Sequence, residues 1–397
     1  MHDFVFPAVT LPDSAPALRQ QVREFLQREK DAGTFIPRQN SWSDGDATFS
    51  RKLGQAGYIG MVWPKVYGGH ERTALERYVV MEELLAGGAP VGAHWVADRQ
   101  SGNQILRHGS ERARQLILPK IAAGECFFAI GMSEPDSGSD LASVKTKATR
   151  MGDKYIVNGQ KTWTTLGQYG EWIFCLVRTS TEGKPQTGIS FLLIDMKSPG
   201  VTVRPIKLLD GECEVNEVWF DNVEVPAENL IGEENKGWTY AKHLLSHERT
   251  NIADVNRAKR ELERLKRIAK AESVWEDTRF RDEIAKLEVD IVALEMLVLR
   301  VLSAEKSGKN SLDIAGLLKI KGSEIQQRYT ELMMQAAGPF SLPYIFEAME
   351  AGWQGNFPGG TLANAPLASN YFNMRKTTIY GGSNEVQRNI VAQTVLG

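Results

Sequence analysis

The chain has 397 residues, and its 47 lysines and arginines nearly balance its 49 aspartates and glutamates, which gives a net charge of −2. This balance argues against a nucleic-acid-binding protein and against a polybasic membrane anchor, because both need a strongly cationic surface. The length predicts two or three structural units with a substantial hydrophobic core.

Redox and targeting signals predict a cytoplasmic protein. The three cysteines, Cys126, Cys175 and Cys213, lie far apart and form no Cys-x-x-Cys pair, as expected in a reduced compartment. The N-terminus is neither basic nor followed by a long apolar segment, so no secretory signal is expected. No run approaches about 18 uninterrupted apolar residues, so no transmembrane helix is expected. The sequence has no Walker motif, Rossmann fingerprint or clustered His/Cys set, and no metal is predicted.

The chain divides into three zones that differ in the spacing of their apolar residues. Residues 1–124 are predicted to form an α-helical domain, because apolar residues recur there at three- and four-residue spacing. One such helix face is formed by Leu18, Val22, Phe25 and Leu26. Residues 125–236 carry short apolar runs between turn residues, which predicts a small antiparallel β-domain. Residues 237–397 return to helices, with runs expected at 237–269, 282–308, 312–337 and 383–395.

Within the β-domain, the run from Lys154 to Trp163 predicts a hairpin. The Asn158-Gly159 pair in its middle favours a tight two-residue turn between two strands. Further strands are expected at 172–177, 188–194, 201–203 and 217–220.

A motif near the start of the β-domain can offer backbone donors to a ligand. Residues 131–140 read Gly-Met-Ser-Glu-Pro-Asp-Ser-Gly-Ser-Asp, and their small and hydroxyl-bearing side chains leave the N–H groups accessible. The alternative interpretation is an ordinary polar turn.

A second motif places an indole beside a hydroxyl. Trp163 and Thr165 are expected on one face of a strand, because successive side chains alternate between faces. Such a pair suits a flat heteroaromatic ring, since the indole can cover the face of the ring while the hydroxyl bonds to its edge. The alternative is that Trp163 is an ordinary core residue.

A carboxylate lies on an apolar stripe of the helix predicted at 241–255. Residues at three- and four-residue steps share this stripe: Ala241, Leu244, Leu245, Glu248, Ile252 and Val255. Desolvation there would raise the pKa of Glu248 towards neutrality, which suits a general base. The alternative is that Glu248 is salt-bridged or lies at the edge of the stripe.

The C-terminal segment 379–388 reads Ile-Tyr-Gly-Gly-Ser-Asn-Glu-Val-Gln-Arg. Gly381 has no side chain but keeps a backbone N–H. Gly382 and Ser383 are expected to open a helix whose N-terminus can face a phosphate. Glu385 lies early in that helix and suits capping rather than catalysis.

Together these motifs resemble the acyl-CoA dehydrogenases, and the similarity covers nearly the whole chain. Within that family the sequence is most similar to bacterial members of the pimeloyl-CoA dehydrogenase large-subunit type. The resemblance implies an α+β fold, with an N-terminal helical domain, a central antiparallel β-domain and a C-terminal four-helix bundle.

The resemblance also implies FAD as cofactor and assigns residues to it. Met132 and Ser133 would contact the flavin ring, Trp163 would flank it, and Thr165 would donate towards its N5 edge. Further cofactor contacts are expected from Ser139, Gln335, Gly338, Ser383 and Glu385. On the substrate side the expected residues are Ser139, Arg249 and Gly382.

The implied reaction is α,β-dehydrogenation of an acyl-CoA thioester to a 2-enoyl-CoA. Many relatives carry the catalytic base, a glutamate, at the position of Gly381, whereas some carry it on the helix before the bundle, in a Glu-Arg pair that Glu248-Arg249 matches. Glu248 would remove the α-proton, and the Gly381 N–H would hold the thioester carbonyl oxygen. Electrons would leave to an electron-transfer flavoprotein.

Two departures from the family bear on assembly. Residues 257–264 lack the Phe-Gly of an Arg-x-x-Phe-Gly element, and Gln335 and Gly338 keep part of a Gln-x-x-Gly-Gly element. Both put the cross-subunit half of the FAD site in doubt and fit an assembly in which a different, paired subunit contributes. The resemblance implies a homo- or hetero-oligomer, a dimer or tetramer, in which the paired subunit can be a smaller one. Two alternative functions stay open: a non-catalytic subunit that stabilises a partner's FAD, and a flavin oxidase or monooxygenase on the same fold.

Overall fold

The computed structural model describes residues 9–242, 244, 253–306, 315–358 and 360–395. Helices occupy the N-terminal part of the chain: α1 Ala15–Asp31, α2 Ala47–Gln55, α3 Ala74–Ala86, α4 Gly92–Val96, a π-helical turn Ala97–Ser101, α5 Gly102–His108 and α6 Glu111–Ala122. Helix α1 buries the predicted apolar face, Leu18, Val22, Phe25 and Leu26, against α3. That prediction is confirmed.

A single mixed sheet follows. Its strands are β1 Phe128–Gly131, β2 Lys147–Met151, β3 Lys154–Thr165, β4 Trp172–Arg178, β5 Ile189–Asp195, β6 Val201–Ile206, β7 Val215–Pro226 and β8 Leu230–Ile231. Their order is β6-β7-β3-β2-β4-β5-β8, with β1 beside β4. The predicted antiparallel pairing holds for most neighbours, but β1 and β2 both run parallel to β4.

The hairpin predicted around Asn158-Gly159 is wrong. Strand β3 continues through this pair, and the chain turns earlier, at Gly152, between β2 and β3. Gly159 instead forms a β-bulge opposite β7, with a φ of 150° and with Thr146 so close that an added Cβ would lie 2.7 Å from its Cα. An Asn-Gly pair can therefore serve a bulge as well as a turn, because both need the conformational freedom of glycine.

The C-terminal helices are α7 Val255–Ala271, α8 Thr278–Lys306, α9 Ala315–Ala337, α10 Leu367–Met374 and α11 Asn384–Val395. Helix α9 contacts each of the other four, so α7, α8, α9 and α11 form a bundle and the short α10 lies beside it. Within the described residues no helix is long and apolar enough to cross a membrane.

The helix predicted from residue 237 through residue 269 is interrupted. Residues 237–242 are helical, but Asp254 has a φ of 50° and α7 begins only at Val255. Two contacts stabilise the chain at this break in the helix. The Trp42 indole donates to the Asp254 carboxylate at 2.9 Å, and Ala253 lies so close to Gly322 that an added Cβ there would meet its Cα at 2.7 Å. The prediction of one continuous helix is therefore wrong, because tertiary contacts override the apolar periodicity.

Three arginines of α7 fasten the N-terminal helices to the bundle. They follow one another at three- and four-residue spacing, which places them on one helix face. Each donates to the segment 38–41: Arg257 to Asn40 Oδ1 at 2.9 Å, Arg260 to the Gln39 carbonyl at 2.9 Å and Arg264 to Gln39 Oε1 at 2.7 Å. Glu261, buried between them, pairs with Arg260 at 2.7 Å and with Arg264 at 3.5 Å. We call this set the arginine clamp.

Asp254 predicts a pH dependence of stability. Burial raises its pKa to about 6, although Arg257 and the Trp42 indole act in the opposite direction. The folded chain therefore keeps a proton that the unfolded chain loses as the pH rises from about 4 to 6, so stability falls across this window. Asp254→Asn, which keeps an acceptor for Trp42, should gain stability relative to wild type over the same window. Urea unfolding measures the free energy of each protein. If the two free energies changed in parallel with pH across this range, the prediction would be contradicted.

Candidate active site

The end of β3 presents an exposed indole. Thr162 and Trp163 together face Glu217 of β7, because the register shifts by one residue between Lys161 and Thr164. At this bulge Trp163 has a φ of 59° and is 57% exposed. A non-glycine residue in this conformation costs about 1–3 kcal/mol, and such strain is common at ligand sites. The alternative interpretation of Trp163 as a core residue is thereby ruled out.

Burial alternates beyond the bulge. Thr164 is fully buried and its carbonyl accepts a hydrogen bond from Asn216 Nδ2 at 3.0 Å, whereas Thr165 is half-buried. This alternation agrees with the expectation that Trp163 and Thr165 share one face. The two side chains form an open surface at the end of β3.

Met132 and Ser133 lie beside this surface. The Thr162 amide donates to the Ser133 carbonyl at 2.9 Å, and both Met132 and Ser133 are half-buried. A tight turn follows, closed by reciprocal backbone hydrogen bonds between Glu134 and Ser137. Ser139 lies exposed just beyond that turn.

Sequence reasoning missed a buried ion pair under this surface. Lys161 is fully buried, and its Nζ donates to Glu134 Oε1 at 2.8 Å and to the Met132 carbonyl at 3.1 Å. Glu134 also accepts the amides of Lys145 and Thr146. Burial acts to raise the pKa of Glu134, but the Lys161 charge and these hydrogen bonds outweigh it and lower the pKa. The signal in the sequence was a lysine two positions before Trp163, the one charged residue in the part of β3 from Tyr155 to Thr165.

The C-terminal segment forms a left-handed turn before α11. Gly381 and Gly382 have φ values of 62° and 82°, and both are half-buried. Ser383 then caps α11, because its Oγ accepts the Val386 amide at 3.3 Å. Glu385 is exposed, and its own amide together with the Ser383 hydroxyl lowers its pKa, in agreement with the expected capping role.

Glu214 links β3 to this C-terminal segment. The Leu166 amide, just after β3, donates to the Glu214 carbonyl at 2.8 Å. The Glu214 carboxylate pairs with Lys376, in the helical turn Arg375–Thr378 that precedes Tyr380. Its neighbour Cys213 is half-buried, in contrast to Cys126 and Cys175, which are buried.

Gln335 and Gly338 lie apart from Ser383. Helix α9 touches the start of α11 at Lys319, whose Nζ donates to Asn384 Oδ1 at 2.9 Å. From residue 319 to residue 335 the helix rises about 24 Å, at 1.5 Å per residue. The described chain therefore does not bring Gln335 and Gly338 together with the start of α11.

Glu248 and Arg249, the predicted base and its neighbour, lie outside the described residues. No group of three or more His, Cys, Asp or Glu side chains that could hold a metal ion occurs among the residues that the structure describes.

Comparisons with known proteins identify the family. Models of the acyl-CoA dehydrogenase N-terminal, middle and C-terminal domains match residues 12–125, 129–223 and 235–396. Acyl-CoA dehydrogenase IpdE1 of Mycobacterium tuberculosis is 30% identical over 395 residues, which are 96% of each chain. Acyl-CoA dehydrogenase FadE29 of the same organism is 33% identical over 352 residues, 87% of each chain. The chain belongs to the acyl-CoA dehydrogenase family.

Solved structures agree with this acyl-CoA dehydrogenase assignment. The Tcur3481-Tcur3483 steroid ACAD is 27% identical, with a TM-score of 0.86 over 98% of this chain and 99% of the other. The ChsE4-ChsE5 complex from Mycobacterium tuberculosis is also 27% identical, with a TM-score of 0.81 over 98% and 99%. The three-part layout of helices, sheet and helices is thereby confirmed as the acyl-CoA dehydrogenase fold. The finer resemblance to the pimeloyl-CoA dehydrogenase type stays a prediction.

The open surface on β3 fits the cofactor of an acyl-CoA dehydrogenase. Members of this family are FAD flavoproteins. An exposed indole in a strained backbone conformation, with a threonine hydroxyl on the same face, matches the flat face and polar edge of an isoalloxazine ring. Met132 and Ser133 lie next to this surface, so these four residues are the ones that would hold the ring.

Proposed function

We propose that this acyl-CoA dehydrogenase converts an acyl-CoA thioester to the corresponding 2-enoyl-CoA. The observation that carries the proposal is the Trp163–Thr165 surface, which offers a flavin ring an exposed indole and a hydroxyl at one strand end. FAD, when bound there, supplies the acceptor for the hydrogen that leaves the β-carbon with its electron pair.

The chain's own residues carry the remaining steps. Glu248 removes the α-proton, with Arg249 beside it to organise the substrate side. The Gly381 N–H, next to Gly382, donates to the thioester carbonyl oxygen and stabilises the negative charge that develops there, a contribution of about 3 kcal/mol for one donor. Gly381 has no side chain, so its backbone amide is the donor that this position can offer a ligand.

The other residues assigned above contact the outer parts of FAD and of the acyl-CoA thioester. Ser139 lies on the exposed turn beyond Ser133, where it can meet both the flavin and the thioester. Ser383 and Glu385 contribute contacts to FAD at the start of α11. Gln335 and Gly338 contribute to the FAD of a neighbouring chain, because they lie at the far end of α9 from this site.

The acyl chain that the comparisons favour is derived from a steroid. The solved structure with a TM-score of 0.86 is named a steroid ACAD. A dicarboxylyl or medium-length chain is the second candidate, from the resemblance to the pimeloyl-CoA dehydrogenase type. Electrons would pass on to an electron-transfer flavoprotein.

The test of this function uses the purified chain. Its visible spectrum should show bound flavin, and anaerobic addition of acyl-CoA thioesters should bleach it and yield a 2-enoyl-CoA. A panel of steroid-derived, dicarboxylyl and medium-length thioesters, ranked by the rate of bleaching, identifies the acyl chain. Absence of flavin would favour the non-catalytic subunit or a need for the paired chain, whereas aerobic peroxide formation without an external acceptor would favour an oxidase.

Assembly with a second chain is supported by an uncovered helix face. On α8, Val289, Val292 and Met296 are 67%, 52% and 51% exposed and follow one another at three- and four-residue spacing. This is the pattern of a helix face that packs on another helix. We therefore propose that α8 lies in the interface of a homo- or hetero-oligomer.

Val292→Glu should break this assembly, because it places a charge in the middle of the apolar stripe. Light scattering after size exclusion should show a dimer or larger species for the wild-type assembly and a 44.2 kDa monomer for the variant. Arg279→Glu serves as the control, since the Arg279 side chain lies on the same helix but is 92% exposed and outside the stripe. An unchanged mass for Val292→Glu would remove α8 from the interface.

A further inference from the structure

The buried pair Lys161–Glu134 lies between the two segments proposed to hold the flavin. Three consecutive residues of β3 serve different purposes there. Lys161 points inward to the Met132 carbonyl and Glu134, the Thr162 amide donates to the Ser133 carbonyl, and Trp163 points outward. The bulge makes this possible, because it releases Thr162 from its regular pairing with β7.

Both members of the pair are costly to bury. Lys161 is 0% and Glu134 7% exposed. A buried ion pair is seldom the most stable choice for a core, since apolar residues of similar volume often serve as well. Its presence at this place therefore needs a reason besides stability.

The hydrogen bonds indicate that reason. Glu134 is fixed by three donors: the amides of Lys145 and Thr146, at 2.6 and 2.9 Å, and Lys161 Nζ, at 2.8 Å. Lys161 in turn holds the Met132 carbonyl at 3.1 Å. The orientation of a carbonyl fixes the peptide plane that follows it, so Lys161 sets the direction of the Ser133 amide.

We propose that Lys161 is a positioning residue for FAD, which holds the Met132–Ser133 peptide towards the flavin while Glu134 anchors the lysine. This inference rests on the proposed FAD site. Lys161 itself does not touch the flavin; it acts through the Met132 carbonyl and through the strand that carries Trp163.

The test measures FAD affinity rather than turnover. In Lys161→Met the Met132 carbonyl loses its donor, and the dissociation constant for FAD should rise about tenfold, as expected for the loss of one buried hydrogen bond. The visible absorption bands of the flavin that remains bound should shift, because its polar edge meets a displaced amide. Both quantities are measured on the full chain, at a temperature where wild type and variants are folded by circular dichroism.

A double variant separates positioning from mere destabilisation. Lys161→Met with Glu134→Gln removes the unpaired charge but leaves the Met132 carbonyl without a donor, so FAD affinity should stay about tenfold reduced. Recovery of wild-type affinity in the double variant would overturn the proposal, because the effect would then come from the unpaired carboxylate alone.

Lys52→Met is the matched control. Lys52 pairs with the buried Glu29 at 2.6 Å in the N-terminal helices. Its loss should lower the melting temperature without changing FAD affinity. An equal loss of FAD affinity in Lys52→Met would also overturn the proposal. If the wild-type protein binds no FAD, the proposed function itself fails, whereas normal FAD binding by Lys161→Met refutes only the positioning role.

Discussion

Replacing Glu248 with glutamine is expected to lower the rate of flavin reduction by acyl-CoA by about 100-fold or more, the range typical for loss of a general base. Glutamine has nearly the same shape as glutamate but cannot accept the α-proton. FAD should stay bound, because Glu248 is assigned to the substrate and not to the cofactor. Anaerobic stopped-flow bleaching of the flavin by a saturating thioester measures this rate directly.

Glu263→Gln is the control for this experiment, since the Glu263 side chain lies on α7 and is 67% exposed. It should bleach at the wild-type rate. If Glu248→Gln also bleached at that rate, the base would have to lie elsewhere. If Glu248→Gln still binds the thioester, the flavin spectrum should be perturbed without being reduced. This result would show that the substitution affects proton removal and not substrate binding.

Replacing Arg260 with methionine is expected to cost about 3 kcal/mol of stability, because removing one partner of a largely buried ion pair leaves Glu261 with only its longer pairing to Arg264. Arg260 is the middle residue of the arginine clamp and its side chain is 18% exposed. Its loss would also remove donors from the Gln39 and Leu85 carbonyls. Urea unfolding at a fixed protein concentration measures the change.

Arg279→Met provides the comparison, because the Arg279 side chain is 92% exposed and exposed substitutions usually change stability by less than about 0.5 kcal/mol. A loss of less than about 1 kcal/mol for Arg260→Met would mean that neighbouring arginines replace it. In that case the triple replacement of Arg257, Arg260 and Arg264 would still be expected to separate the N-terminal helices from the bundle, which limited proteolysis would detect.

Local patterns predicted the elements well where one face of an element decides its packing. The stripe Leu18, Val22, Phe25 and Leu26 is buried as expected, and α11 begins at the expected serine cap. Trp163 also lies in a strand, as predicted, although at a bulge that the alternation of side chains did not predict. In these cases the spacing of side chains carries enough information, because helix and strand periods are fixed by the backbone.

Tertiary contacts explain what the sequence could not predict. Asn158-Gly159 forms a bulge because Thr146 packs against Gly159, and the helix breaks at Asp254 because Trp42 and Gly322 hold it there. The Lys161–Glu134 pair joins residues that are far apart in the chain, and no periodic pattern of the sequence predicts such a pair. The separation of Gln335 from Ser383 follows from the place where α11 meets α9, at Lys319, which only the fold reveals.

The cysteines give this protein a single convenient attachment point for a reporter group. Burial raises the pKa of Cys126 and of Cys175 to about 12, so both thiols stay protonated and shielded from electrophiles. Cys213 is half-buried and adjoins Glu214, the residue that links β3 to the C-terminal segment. A small maleimide dye should therefore label Cys213 selectively, two residues from Val215, which pairs with Thr165 at the end of β3.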